Sequence, residues 1–66
     1  MRIINDANLP YAVIGSAIDR IIENGKHDTY YYGKVEVGTI MYKNKIINVQ
    51  IRYLKKYVEW RFYYDR

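Results

Sequence analysis

Apolar and polar residues alternate along the last third of the chain, with Ile47, Val49, Ile51 and Tyr53 in one run and Val58, Trp60, Phe62 and Tyr64 in the next. A period of two predicts half-buried strands over about 46–54 and 57–64, joined at Lys55-Lys56. Further upstream the period changes. Tyr11, Ile14, Ala17, Ile18, Ile21 and Ile22 fall on one stripe of a helix over about 9–24, with Ala12, Ser16, Asp19, Arg20 and Glu23 opposite and Val13 at the border. Asp6 or Asn8 is placed to cap that helix, Pro10 suits its first turn, and Asn24-Gly25 is a stop signal beside Lys26. Gly15 interrupts the helix at a cost of roughly 1 kcal/mol relative to Ala. Its expected reason is close approach of the sheet or of a second subunit. Between the helix and the closing hairpin, the run from Tyr30 to Lys43 alternates like a third strand.

Pairing these strands fixes their faces. With Asn44-Lys45 as a tight turn, Tyr42 faces Ile47 and Ile40 faces Val49, since Asn tolerates the positive φ such a turn needs. Val35 and Val37 then have the wrong parity for the apolar face, so a bulge is expected at Gly38-Thr39. At the second hairpin Tyr53 faces Val58, Ile51 faces Trp60, Val49 faces Phe62 and Ile47 faces Tyr64; a wider loop over Leu54–Tyr57 keeps the same pairs. Every pair is apolar or aromatic, and a one-residue slip would break the whole set. The expected fold is α+β, a single small domain over 1–66. One N-terminal helix packs on a three-stranded antiparallel meander (α-β-β-β), with room for a short extra edge strand at Arg2–Ile4.

Sixty-six residues are near the lower limit for a core that offsets the entropy of ordering the chain. No cysteine is present to add a disulfide or thiolate site, and the single histidine makes a structural zinc site improbable. Stability must come from close packing or from a partner subunit. No run resembles a signal peptide or a membrane span, which makes a cytoplasmic protein the default expectation and a membrane partner an unexpected one. The formal charge of +4 is unevenly placed. Residues 1–33 hold three bases against four acids, and residues 34–66 hold eight bases against three acids.

That asymmetry raises a nucleic-acid reading. The outer sheet face would carry Thr39, Gln50 and Arg61 in one row, Met41, Asn48 and Tyr63 in the next, and Glu36, Arg52 and Glu59 in a third. Arg, Asn and Gln can read base edges and Tyr can stack on bases. Arg52, however, lies between two glutamates that would repel phosphate, and the surplus charge sits in turns at Lys43, Lys45, Lys55 and Lys56. Tyrosine is the stronger anomaly, at nine residues. The inner face absorbs Tyr42, Tyr53 and Tyr64, and Tyr11 fits under the helix, while Tyr30, Tyr32, Tyr57 and Tyr63 point outward or lie at the rim, with Tyr31 on the core side. Exposed Tyr beside Arg is a composition typical of protein interfaces, though β-propensity alone also enriches Tyr in a small sheet. The last strand, Tyr57–Tyr64, reads as an open edge available to its own copy or to a partner.

Catalytic chemistry has no foothold. The glycines are scattered, His27 lies in a loop, Ser16 has no base at a helical spacing, and Asp19 and Glu23 share an open surface where nothing tunes them apart. No cofactor or metal is expected. The chain therefore reads as a small non-enzymatic binding protein. A protein-interaction module or inhibitor, of the accessory type common in phages and mobile elements, is the leading expectation. It would meet a larger protein or nucleoprotein through Asn48, Gln50, Arg52, Tyr57, Arg61 and Tyr63. The alternatives are nucleic-acid binding through the same face and the turn lysines, or a homodimer that sequesters a small ligand.

Overall fold

A computed structural model describes residues 1–24 and 35–64. Its elements are β1 (Arg2–Asn5), α1 (Tyr11–Asn24), β2 (Val35–Tyr42), β3 (Lys45–Tyr53) and β4 (Val58–Tyr64). The strands form one sheet in the order β1-β4-β3-β2, with β1 parallel to β4 and the other pairs antiparallel. The helix-on-meander architecture is as expected, and β1 makes the sheet mixed. The expected beginning of the third strand, at 30–34, and the helix stop at Gly25-Lys26 lie outside the described residues, as do Tyr30, Tyr31, Tyr32 and His27.

The β3–β4 hairpin has the expected register, pair for pair: Tyr53 with Val58, Ile51 with Trp60, Val49 with Phe62 and Ile47 with Tyr64. One-sided alternation excludes a one-residue slip, which would turn both apolar sets to solvent. The ladder stops at Tyr53 and Val58, and the Leu54 N–H donates to the Tyr57 carbonyl (2.9 Å), closing the loop around Lys55-Lys56. Ile47, Val49, Ile51, Tyr53, Trp60 and Phe62 form the sheet's half of the core; Ile14, Ala17 and Ile18 form the helix's half, with Val13 and Ile21 packed beside them. Tyr11 is 77% exposed and Ile22 is also exposed, so the stripe is narrower than its apolar residues suggest.

Three expectations are corrected. At the first hairpin the turn residues are Lys43-Asn44, with φ of 50° and 64°, and Tyr42 pairs with Lys45 and Ile40 with Ile47. Both central residues of a mirrored two-residue turn take positive φ, and this pair supplies them. The register is displaced by two residues, which leaves the faces unchanged.

Second, β2 has no bulge. Gly38 pairs with Val49 and Thr39 with Asn48 in an unbroken ladder from Val35 to Tyr42. A bulge would leave one residue of the strand unpaired; here the backbone ladder is kept and Val35 and Val37 face outward instead.

Third, β4 is not an edge. Arg2, Ile3, Ile4 and Asn5 pair with Glu59, Trp60, Arg61 and Phe62, and among the described residues the edges of the sheet are β1 and β2. The link from β1 to α1 explains why so short a strand holds. The Asn5 side chain accepts from the Leu9 N–H (2.9 Å) and donates to the Leu9 carbonyl (2.8 Å), and the Ala7 N–H donates to the Phe62 carbonyl (2.9 Å). Ala7 and Leu9 are thereby drawn into the core. Pro10 directly precedes the helix, and its carbonyl accepts from Val13 (3.0 Å) and Ile14 (3.2 Å). Asn8 turns the chain with a φ of 53°. Gly15 has no close neighbour: a Cβ there would meet nothing within 4 Å, so the sheet is not its reason.

Candidate functional site

The strand pairings place the outward-facing residues in rows across the sheet. Ile4, Arg61, Gln50 and Val37 make one row, and Arg2, Glu59, Arg52 and Val35 another. Tyr63, Asn48 and Thr39 make a third, beside Ile46 and Met41. None of the described elements covers this face, because α1 packs on the opposite one. Relative to expectation, β2 has moved by two residues, and without the bulge its first part, before Gly38, has changed sides. Glu36 belongs to the helix side, and Val35 and Val37 have joined the outer face.

The charges on this face are spoken for. Glu59 is 5% exposed although it points away from the core, because two arginines lie over it. Arg52 Nη1 donates to Glu59 Oε1 (3.4 Å), and Arg2 Nε lies 3.9 Å from Glu59 Oε2. Arg61 Nε lies 3.7 Å from Asp6 Oδ2; this is an ion pair without a hydrogen bond, and the nitrogen itself is buried with no acceptor in reach. Lys43 and Lys45 sit with their ammonium groups over the rings of Tyr42 (5.4 Å) and Tyr64 (5.5 Å). Lys55 and Lys56 are exposed at the opposite end of the sheet.

Four side chains come together around an open cleft of about 210 Å³: Asp6, Gln50, Arg61 and Tyr63. Three of them were expected from parity. Asp6 is a capping candidate in the sequence, and only the parallel β1–β4 pairing carries it to Arg61. Asn48 adjoins Tyr63 by direct pairing. Arg52 lies one row away and is engaged by Glu59, and Tyr57 lies in the β3–β4 loop, six residues before Tyr63. The two lysine pairs do not converge on the cleft. Beside it, along β2 and the start of β3, runs an apolar strip. Val37 is 75% exposed, Met41 67%, and Val35 and Ile46 are also exposed. The four residues lining the cleft offer guanidinium, carboxylate, amide and phenol groups, so it can donate and accept hydrogen bonds, and the strip beside it offers apolar surface to a partner.

No protein-family model matches the chain, and neither a curated protein nor a solved structure matches it. Among the described residues no helix is long and apolar enough to cross a membrane.

Proposed function

We propose that this chain is a small non-enzymatic binding protein that occupies a surface on a larger protein, as an interaction module or inhibitor. The observation that carries the reading is the outer sheet face, where the Asp6–Gln50–Arg61–Tyr63 cleft lies beside exposed Val37 and Met41. An Arg and a Tyr within a polar cleft bordered by apolar side chains are the anchors that protein interfaces favour. Phosphate binding is a poorer fit, because Arg2 and Arg52 neutralise Glu59 and Arg61 lies beside Asp6. An arginine held by a carboxylate releases few counterions on meeting a polyanion.

Affinity capture from a lysate, with and without nuclease, tests the reading on the wild-type chain, Arg61→Ala, Tyr63→Ala and the helix-face control Asp19→Ala. The expected result is a discrete protein retained by the wild type and by Asp19→Ala after nuclease treatment, and lost from the other two variants while both remain folded. Retention that disappears with nuclease, or that survives in both sheet-face variants, overturns it.

A further inference from the structure

Strand β2 is an edge of the sheet, and among the described residues nothing pairs with its free side. Tyr42 and Lys45 flank a two-residue turn, which makes them a hydrogen-bonded pair. Alternate residues of β2, namely Tyr42, Ile40, Gly38 and Glu36, therefore direct their amides and carbonyls at β3. Those of Val35, Val37, Thr39 and Met41 point away from the sheet. Of the usual protections of an edge this strand has one inward charge, Glu36 near its beginning; it has no proline, lysine or bulge and runs for 8 residues, against 4 for β1. Its outward side chains are Val35, Val37, Thr39 and Met41, all uncharged and all exposed.

We propose that two copies of the chain pair antiparallel through β2, about a two-fold axis at Thr39, and join their sheets into one. A two-fold contact must be complementary to itself, and this strand is. With Thr39 opposite its own copy, Val37 lies beside the second copy's Met41 on the outer face, and the reciprocal pair repeats the contact. On the helix side, Ile40 of one copy stands beside Gly38 of the other. A Cβ on Gly38 would meet nothing within 4 Å, so its own chain does not require a glycine there, and a bare strand position suits close approach by a second backbone. Gly38 also lines a cavity of about 130 Å³ with Ile21, Val49 and Ile51, and the second copy's Ile40 would lie at its mouth. Antiparallel pairing about that axis also sets each Glu36 opposite the second copy's Tyr42 on the helix side. The two contacts share Val37 and Met41, but the Asp6–Gln50–Arg61–Tyr63 cleft stays open in the pair, so either can fail without the other.

Light scattering and sedimentation over a wide concentration series test this. The wild type should have twice the chain's 8.0 kDa and dissociate on dilution. Thr39→Lys, which sets two like charges opposite each other at the axis, should be a folded monomer, and Thr39→Val should remain a dimer. The chain contains no cysteine, so a single engineered one reports register. Thr39→Cys should oxidise to a covalent dimer, because opposed Cα atoms about 5.5 Å apart fit disulfide geometry. Val35→Cys should not, since the two Val35 would lie roughly 27 Å apart at a rise of ~3.4 Å per residue. A wild type that stays monomeric at the highest concentration overturns the proposal, as does a dimer that Thr39→Lys leaves intact. If Thr39→Lys fails to fold, the cysteine pair decides: cross-linking at 39 and not at 35 supports the proposal, and any other pattern overturns it.

Discussion

Asn5→Ala removes the clasp that holds β1 against the sheet. The Asn5 amide makes two hydrogen bonds, one to the N–H and one to the carbonyl of Leu9, at 2.9 and 2.8 Å. Each contributes on the order of 1 kcal/mol net, and where the backbone group left behind stays buried the cost per group is instead about 1–3 kcal/mol, the low end applying to these part-buried bonds. Leu9 is buried in the core, so water does not readily replace the lost partner. The expected loss is about 2–3 kcal/mol. A domain of this length has a total stability of roughly 3–10 kcal/mol, so the change is a large fraction of the whole. Urea unfolding followed by the fluorescence of Trp60, the only tryptophan and a core residue, measures it. Thermal unfolding should fall by about 10–20 °C, at ~4–8 °C per kcal/mol for a small domain. Asn5→Asp keeps the acceptor and loses the donor, and should fall between the two. An Ala variant within about 0.5 kcal/mol of wild type, the ordinary range for surface substitutions, would refute the reasoning. β1 would then be held by its ladder alone.

Two further substitutions probe features without an internal partner or with a charged one. Gly15→Ala should stabilise the chain by about 1 kcal/mol, since it improves helix propensity and the new methyl meets nothing within 4 Å; calorimetry showing no gain would mean that a contact absent from the isolated chain occupies that face. Glu59→Gln should change stability by less than about 1 kcal/mol, because both of its arginines are substantially exposed and can be solvated. It should also free Arg2 and Arg52, and so lengthen salt-sensitive retention on heparin; unchanged retention would show that the glutamate does not mask them.

The β3–β4 hairpin was legible because both strands place every large apolar residue on one face, so local alternation and global packing demand the same register. The helix was legible at its centre, where Ile14, Ala17 and Ile18 are buried, and not at Tyr11 or Ile22, which lie at the margins of a stripe that meets a narrow sheet. Gln50, Asn48, Arg61 and Tyr63 followed from parity alone. The pairing of β1 with β4 did not, because four residues carry little periodicity and their partners lie almost the whole chain away. Asp6 and Arg2, whose ion pairs shape the outer face, were lost with it. The β2 turn was misplaced because Lys-Asn-Lys supplies no glycine to mark the second turn position, and a two-residue slip leaves every side chain on its own face.

The missing bulge bears most directly on function. The expectation of a bulge assumed that Val35 and Val37 must be buried within their own chain. The structure instead completes the backbone ladder and leaves both valines in water, with Met41 and Ile46 beside them. Fully burying a side chain of this kind is worth about 1.5–3 kcal/mol. A chain of 66 residues without disulfides has little stability in reserve for leaving such surface unused. The exposed strip follows the one long edge of the sheet and avoids the shorter edge at β1. Backbone pairing and apolar contact, which compete when β2 is considered alone, both increase once a second strand lies along it, because Val37 gains a neighbour in the second copy's Met41.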